Sequence, residues 1–219
     1  MPMAQSKKEI RVAAVADIHV GKDSQGALQP LCAQIATAAD ILLLGGDLTN
    51  YGLPEEGHVL IKELGALKIP IVAVLGNHDF ESGKQEELRN LLLNAGIRVL
   101  DGEGCEIDGI GIAGVKGFCG GFGKFMLPSW GEDSVKEWVK EALAESLKLE
   151  SALARLRPAR RIAVLHYAPT QATVEGEPLE IFPFLGCSRL EEPLNRYAVT
   201  AAFHGHAHHG QPHGRTGTG

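Results

Sequence analysis

Five short apolar runs punctuate the chain: IRVAAVA (10–16), ILLLG (41–45), IPIVAVL (69–75), RIAVL (161–165) and VTAAF (199–203). Near-continuous runs of Val, Ile, Leu and Ala at this length are those of strands buried on both faces. Between the first three lie helical patterns at 27–38, 55–67 and 82–95, the last with Ser82 placed to open a helix. Strands alternating with helices predict right-handed βαβ units and a layered α/β fold.

Residues 97–117 break this rhythm. IRVLDGEGCEIDGIGIAGVKG has the short, Gly-punctuated strands of hairpins on a second or mixed sheet. A Gly-rich loop, GGFGKFMLPSWG (120–131), leads into a long helix with a capping-box pair, Ser134 and Glu137. Val135, Trp138, Val139, Ala142, Leu143, Leu147, Leu153 and Leu156 give that helix an apolar stripe, and Pro158 stops it. Such a stripe packs on a sheet; a homodimer contact is the alternative use. At 219 residues, with no repeat and no linker, the chain reads as one domain.

Each apolar run ends in Asp, His or Asn. The endings are Asp17-Ile18-His19, Gly46-Asp47, Gly76-Asn77-His78-Asp79, His166, and His204-Gly205-His206-Ala207-His208. Singly, each has an ordinary reading: Asp as a cap, Asn77 as a turn residue, His166 as a buried histidine. Ligands of α/β sheets gather at the carboxyl ends of strands, and here all five ends supply metal-binding types. In an extended chain His206 and His208, two apart, point the same way. Carboxylate, amide and imidazole suit Mn, Fe, Zn, Co or Ni, and the lack of Cys among these strand-end residues argues against a structural zinc site.

The rest of the chain narrows the classes. A formal net charge of −6 provides no global basic field for nucleic acid. Cys32, Cys105, Cys119 and Cys187 form no C-x-x-C pair, the pattern of reduced thiols in a cytoplasmic protein. KKEIRVAAVAD resembles a secretory signal, but Glu9 and Arg11 interrupt it, and no run reaches membrane-spanning length. Gly109, Gly111 and Gly114 match a dinucleotide fingerprint, yet no helix begins there. Gly123-Lys124 fails as a phosphate loop, with Phe118 and Phe125 at the required Gly and Ser/Thr positions. No Gly-x-Ser-x-Gly elbow is present.

Taken in order, D-x-H, G-D, G-N-H-D, H and G-H-x-H resemble the calcineurin-like metallophosphoesterase superfamily, most closely its class III cyclic-nucleotide phosphodiesterase signature. HYAPTQATVEGEP and FLGCSRL are similar to segments of small bacterial phosphohydrolases of that superfamily. The resemblance implies a four-layer α/β/β/α sandwich holding two divalent metal ions. Asp17, His19, Asp47 and His208 would hold one; Asp47, Asn77, His166 and His206 would hold the other, with Asp47 bridging. A metal-bridging hydroxide would attack phosphorus in line in a small phosphodiester or phosphomonoester. His78 would stabilise the phosphoryl oxygens or protonate the leaving oxygen, and Asp79 would orient that imidazole and raise its pKa.

His204 then reads as a strand-end residue beside the ligands, His209 and His213 as surface residues, and His58 as structural. Lys116, Phe122, Lys124, Glu175, Glu177 and Phe182–Phe184 read equally as ordinary loop residues or as the border of a substrate pocket. The family usually continues past G-H-x-H into a further strand, so HGRTGTG predicts either a C-terminal truncation, with the second sheet lacking its last strand, or an edge finished in another way. Two alternatives share the fold: a nuclease, since Asp17-Ile-His19-Val-Gly21 also resembles a repair-nuclease opening, and a non-catalytic scaffold.

Overall fold

The computed structural model describes residues 9–217; Lys7 and Lys8 of the signal-like segment lie outside them. In chain order the elements are β1 (Val12–Val15), α1 (Gln29–Ala38), β2 (Ile41–Gly45), α2 (Pro54–Leu64), β3 (Ile71–Val74), α3 (Gln85–Asn94) and β4 (Arg98–Val99). There follow β5 (Glu103–Ile107), β6 (Ile110–Gly114), α4 (Asp133–Arg155), β7 (Arg160–Val164), α5 (Phe182–Leu185), α6 (Glu191–Arg196) and β8 (Ala201–Phe203).

Strands β1-β2-β3-β4 form one sheet in that order, every pair parallel. An order that advances steadily in one direction puts all its right-handed crossovers on one face, and α1, α2 and α3 pack there. The second sheet, β5-β6-β7-β8, is mixed: β5 and β6 are antiparallel, and β6, β7 and β8 run parallel.

Period-two alternation sorts the strand side chains between layers. Leu42, Leu44, Ile71 and Ala73 face the helices, whereas Ile41, Leu43, Val72 and Val74 face inward to meet Ile110, Ile112, Ile162 and Val164 of the second sheet. Ala113, Ala163 and Leu165 turn the other way, onto Leu149, Ala152 and Leu153 of α4 and Leu194 of α6. The result is the four-layer α/β/β/α sandwich, and doubly covered strands explain the unbroken apolar runs.

Several local expectations need correction. α3 begins at Gln85, not Ser82, whose Oγ instead donates to Gly52 O at 2.8 Å. α4 begins at Asp133 with Glu132 in the cap position and no side-chain capping bond, which puts Ser134 inside the first turn. Leu143 and Leu147 are exposed, because α4 turns the buried Glu145 and Ser146 inward to hold two loops. Glu145 accepts Gly117 N–H at 2.8 Å, and Ser146 Oγ donates to Arg189 O at 2.6 Å. Of residues 97–117, β4 joins the first sheet and only β5 and β6 make the hairpin. Its turn is Asp108-Gly109, both at positive φ (50° and 80°), the backbone of a two-residue type I′ turn. Gly109 thus has a hairpin duty and no relation to a nucleotide. Sheet two ends at β8 among the described residues, with 204–217 continuing outside any strand.

Candidate metal centre

The five strand ends converge. Three clusters of donor atoms form, each with all members within 4.8 Å: Asp17, His19 and His208; His19, Asp47 and His78; Asp47, His166 and His206. His19 belongs to two of them and Asp47 to two, so the clusters make one continuous centre. Asn77 joins at the His166 side, its Oδ1 2.8 Å from His166 Nε2. Every residue expected as a ligand, Asp17, His19, Asp47, Asn77, His166, His206 and His208, is therefore at one place.

Tight backbone geometry makes this possible. Asp17, His19, Asp47 and His206 all have left-handed φ, between 42° and 71°, a conformation that L-residues avoid unless the surroundings enforce it. Asp17 anchors the crossing: both its carboxylate oxygens accept His206 N–H, at 3.0 and 3.1 Å. At Gly76 a Cβ would stand 2.2 Å from both Asp47 N and Asp47 Oδ1, so only glycine lets the third strand's loop approach the second's.

The imidazoles are set as lone-pair donors. His166 Nδ1–H donates to Gly45 O at 3.0 Å, which fixes the tautomer and leaves Nε2 facing Asn77 Oδ1 and, at 3.3 Å, Asp47 Oδ1. Burial, with His206 nearby, holds His166 well below the usual histidine range, so it is neutral. Burial likewise lowers His19 and His206. His206 Nε2–H donates to Phe184 O at 3.2 Å, leaving Nδ1 as its free donor. His19 Nε2 is buried with no hydrogen-bond partner. Asp47, 1% exposed, is raised to about 7, chiefly by burial and against the hydrogen bond from His78 N–H. Neutral nitrogen lone pairs aimed at oxygens, an orphaned imidazole nitrogen and a buried carboxylate without a cation together fit divalent metal.

A model of the calcineurin-like phosphoesterase family matches residues 10–210, nearly the whole chain. The chain belongs to that family. Over 52 residues it is 42% identical to "Glycerophosphodiester phosphodiesterase GpdQ" of Enterobacter lignolyticus (strain SCF1), a match covering 24% of this chain and 19% of that enzyme. Among solved structures, TT1561 of Thermus thermophilus aligns at 17% identity and TM-score 0.55, covering 90% of this chain and 81% of that one. Another aligns at 18% identity and TM-score 0.56, covering 95% and 87%. At such identities the structural likeness speaks to the fold.

Within this phosphoesterase the Asn-His-Asp turn divides its labour differently from expectation. His78 Nδ1 donates to Asn50 O at 2.9 Å, and its Nε2 lies 4.0 Å from Asp47 Oδ2 with the side chain 40% exposed. Asp79 does not orient it. Asp79 is fully buried and accepts four hydrogen bonds, from Gly76 N, Leu48 N, Thr49 N and Thr49 Oγ1, at 2.6–3.1 Å. It pins the Gly46-Asp47 loop to the Gly76-Asn77 loop. Both Asn50 and Phe184 act through backbone carbonyls, which no side-chain pattern announces. His204 Nδ1–H donates to Gly205 O at 2.8 Å and its Nε2 lies 2.8 Å from Thr173 Oγ1, beside the ligands as expected. His209 and His213 are exposed, and exposed His58 bonds Pro54 O in its own helix.

Proposed function

We propose that this phosphoesterase hydrolyses a small phosphodiester or phosphomonoester at two divalent ions drawn from Mn, Fe, Zn, Co and Ni. Asp17, His19, Asp47 and His208 would hold one ion, and Asp47, Asn77, His166 and His206 the other. The observation that carries this reading is the position of Asp47, a member of donor clusters on both sides, its two oxygens facing His166 (3.3 Å) and His19 (3.8 Å). One shared carboxylate is a natural means of keeping two ions roughly 3.5–4 Å apart, where they lower the pKa of water and neutralise phosphoryl oxygens.

The chain's own groups do the remainder. Asn50 O holds Nδ1–H of His78, so a proton taken up at Nε2 is the one available to the leaving oxygen. His78→Ala should lower turnover by roughly 10²–10⁴ while metal content stays at two per chain; loss of metal along with activity would make His78 a ligand instead. The acidic balance and free cysteines support a small-molecule substrate in the cytoplasm, not nucleic acid. Among the described residues no helix is long and apolar enough to cross a membrane. The deciding assay compares bis-p-nitrophenyl phosphate with p-nitrophenyl phosphate, using metal-stripped protein with and without manganese. Metal-restored hydrolysis of the diester makes the chain a phosphodiesterase, of the monoester alone a phosphatase. No hydrolysis by folded, metal-loaded protein sinks the reading.

A further inference from the structure

The described residues expose ten large apolar side chains, and seven of them sit on the segments, short helical turns included, that leave the carboxyl ends of strands. Tyr51 (54% exposed) follows β2 and Phe80 (39%) follows β3. Phe125 (81%) and Trp130 (58%) follow β6; Leu179 (74%), Ile181 (37%) and Phe184 (53%) follow β7. These are the loops that carry or adjoin the metal centre, so a polar centre has an apolar rim. The last two are one unit: Gly120 and Gly121 N–H donate to Gly186 O at 3.0 and 2.9 Å, and Ser188 N–H donates to Gly121 O at 3.1 Å.

A circuit of side chains connects this rim to the metal site. From His206 the ring centroids step to Tyr167 (4.5 Å), Phe118 (5.8 Å), Trp138 (5.4 Å) and Phe184 (6.0 Å). Phe184 closes the path, since its carbonyl accepts His206 Nε2–H. Tyr167 is buried and Phe184 half exposed, so the circuit opens outward at Phe184. Exposed apolar surface continuous with a catalytic centre marks a ligand surface, and a net charge of −6 disfavours an anionic polymer there.

We propose that the substrate is a phosphoester with an apolar substituent, aryl or alkyl, and that Phe184, Phe125 and Trp138 select it. This inference rests on the phosphoesterase reading of the same centre. The test holds the leaving group constant: methyl, phenyl and hexyl p-nitrophenyl phosphate with manganese-loaded protein. The kcat/KM for the phenyl or hexyl ester should exceed that for the methyl ester at least tenfold. Phe184→Ser, or Phe125→Ser at the more exposed position, should flatten that ratio. A larger gain for phenyl identifies an aryl group, for hexyl an alkyl chain. Equal values across the three overturn the inference and leave the phosphoesterase reading standing. If none is hydrolysed that reading fails, and titration with methyl-, phenyl- and hexylphosphonate tests the rim alone. The emission reports on Trp130 and Trp138, the two tryptophans of the chain; equal affinities overturn the inference. It is overturned too if Phe125→Ser changes the sedimenting mass and not the ratio, which would give the rim to a second copy of the chain.

Discussion

Both oxygens of Asp79 face the backbone of neighbouring loops, although the sequence places it beside His78. A buried carboxylate that receives three N–H groups and one hydroxyl is a structural anchor, and its removal should appear in stability before chemistry. Asp79→Asn presents an NH₂ group where only donors point, leaving buried groups unmatched at a cost of about 2–4 kcal/mol. A domain of this size loses roughly 2–4 °C in Tm per kcal/mol. A thermal melt unchanged from the parent, with turnover reduced, would return Asp79 to the chemistry. The candidate donors that the structure gathers were legible residue by residue, because Asp, His and Asn at strand ends carry their chemistry in the side chain. Asn50 and Phe184 were not, because what they contribute is a carbonyl that every residue owns.

At the level of elements, α4 shows why periodicity reads well and incompletely. Its apolar residues recur at helical spacing over 23 residues, yet the buried face includes Glu145 and Ser146 while Leu143 and Leu147 look outward. The helix must hold the loop after β6 and the turn at Arg189, and polar anchors on its inner face do that. Leu149, fully buried, and Leu147, 53% exposed, therefore make a controlled pair. Leu149→Ala should cost about 2–5 kcal/mol and Leu147→Ala about 0.5 kcal/mol or less, read from the midpoints of chemical denaturation. Equal costs would mean that Leu147 is covered in solution. The Asp108-Gly109 turn makes the complementary point: a short glycine motif means nothing until strands on either side assign it.

For the whole molecule, the metal centre is the junction at which two sheets meet. Asp17, Asp47 and Asn77 come from the first sheet's loops, His166, His206 and His208 from the second's. Ions held there would tie the halves of the sandwich and bind only the folded state, and so would stabilise it by mass action. At a hundredfold excess over Kd that is about 2.7 kcal/mol. Chelation should therefore lower Tm, and manganese should restore it by roughly 5–10 °C. A Tm indifferent to both would show that the donors do not bind metal across the sheets.

What the sequence determined by itself was the α/β class of the fold, the strands covered on both faces and the candidate donors that end them. Those follow from local rules: near-continuous apolar runs, helical spacing between them, and side-chain chemistry at strand ends. What only the tertiary structure decided was partnership. It placed Asp47 between His19 and His166, gave His78 to Asn50, made Asp79 a clamp and set the aromatic circuit against His206. Contacts between residues 28 to 189 positions apart depend on how two sheets stack and how four donor residues are forced into left-handed backbone, and no short window of sequence contains that information.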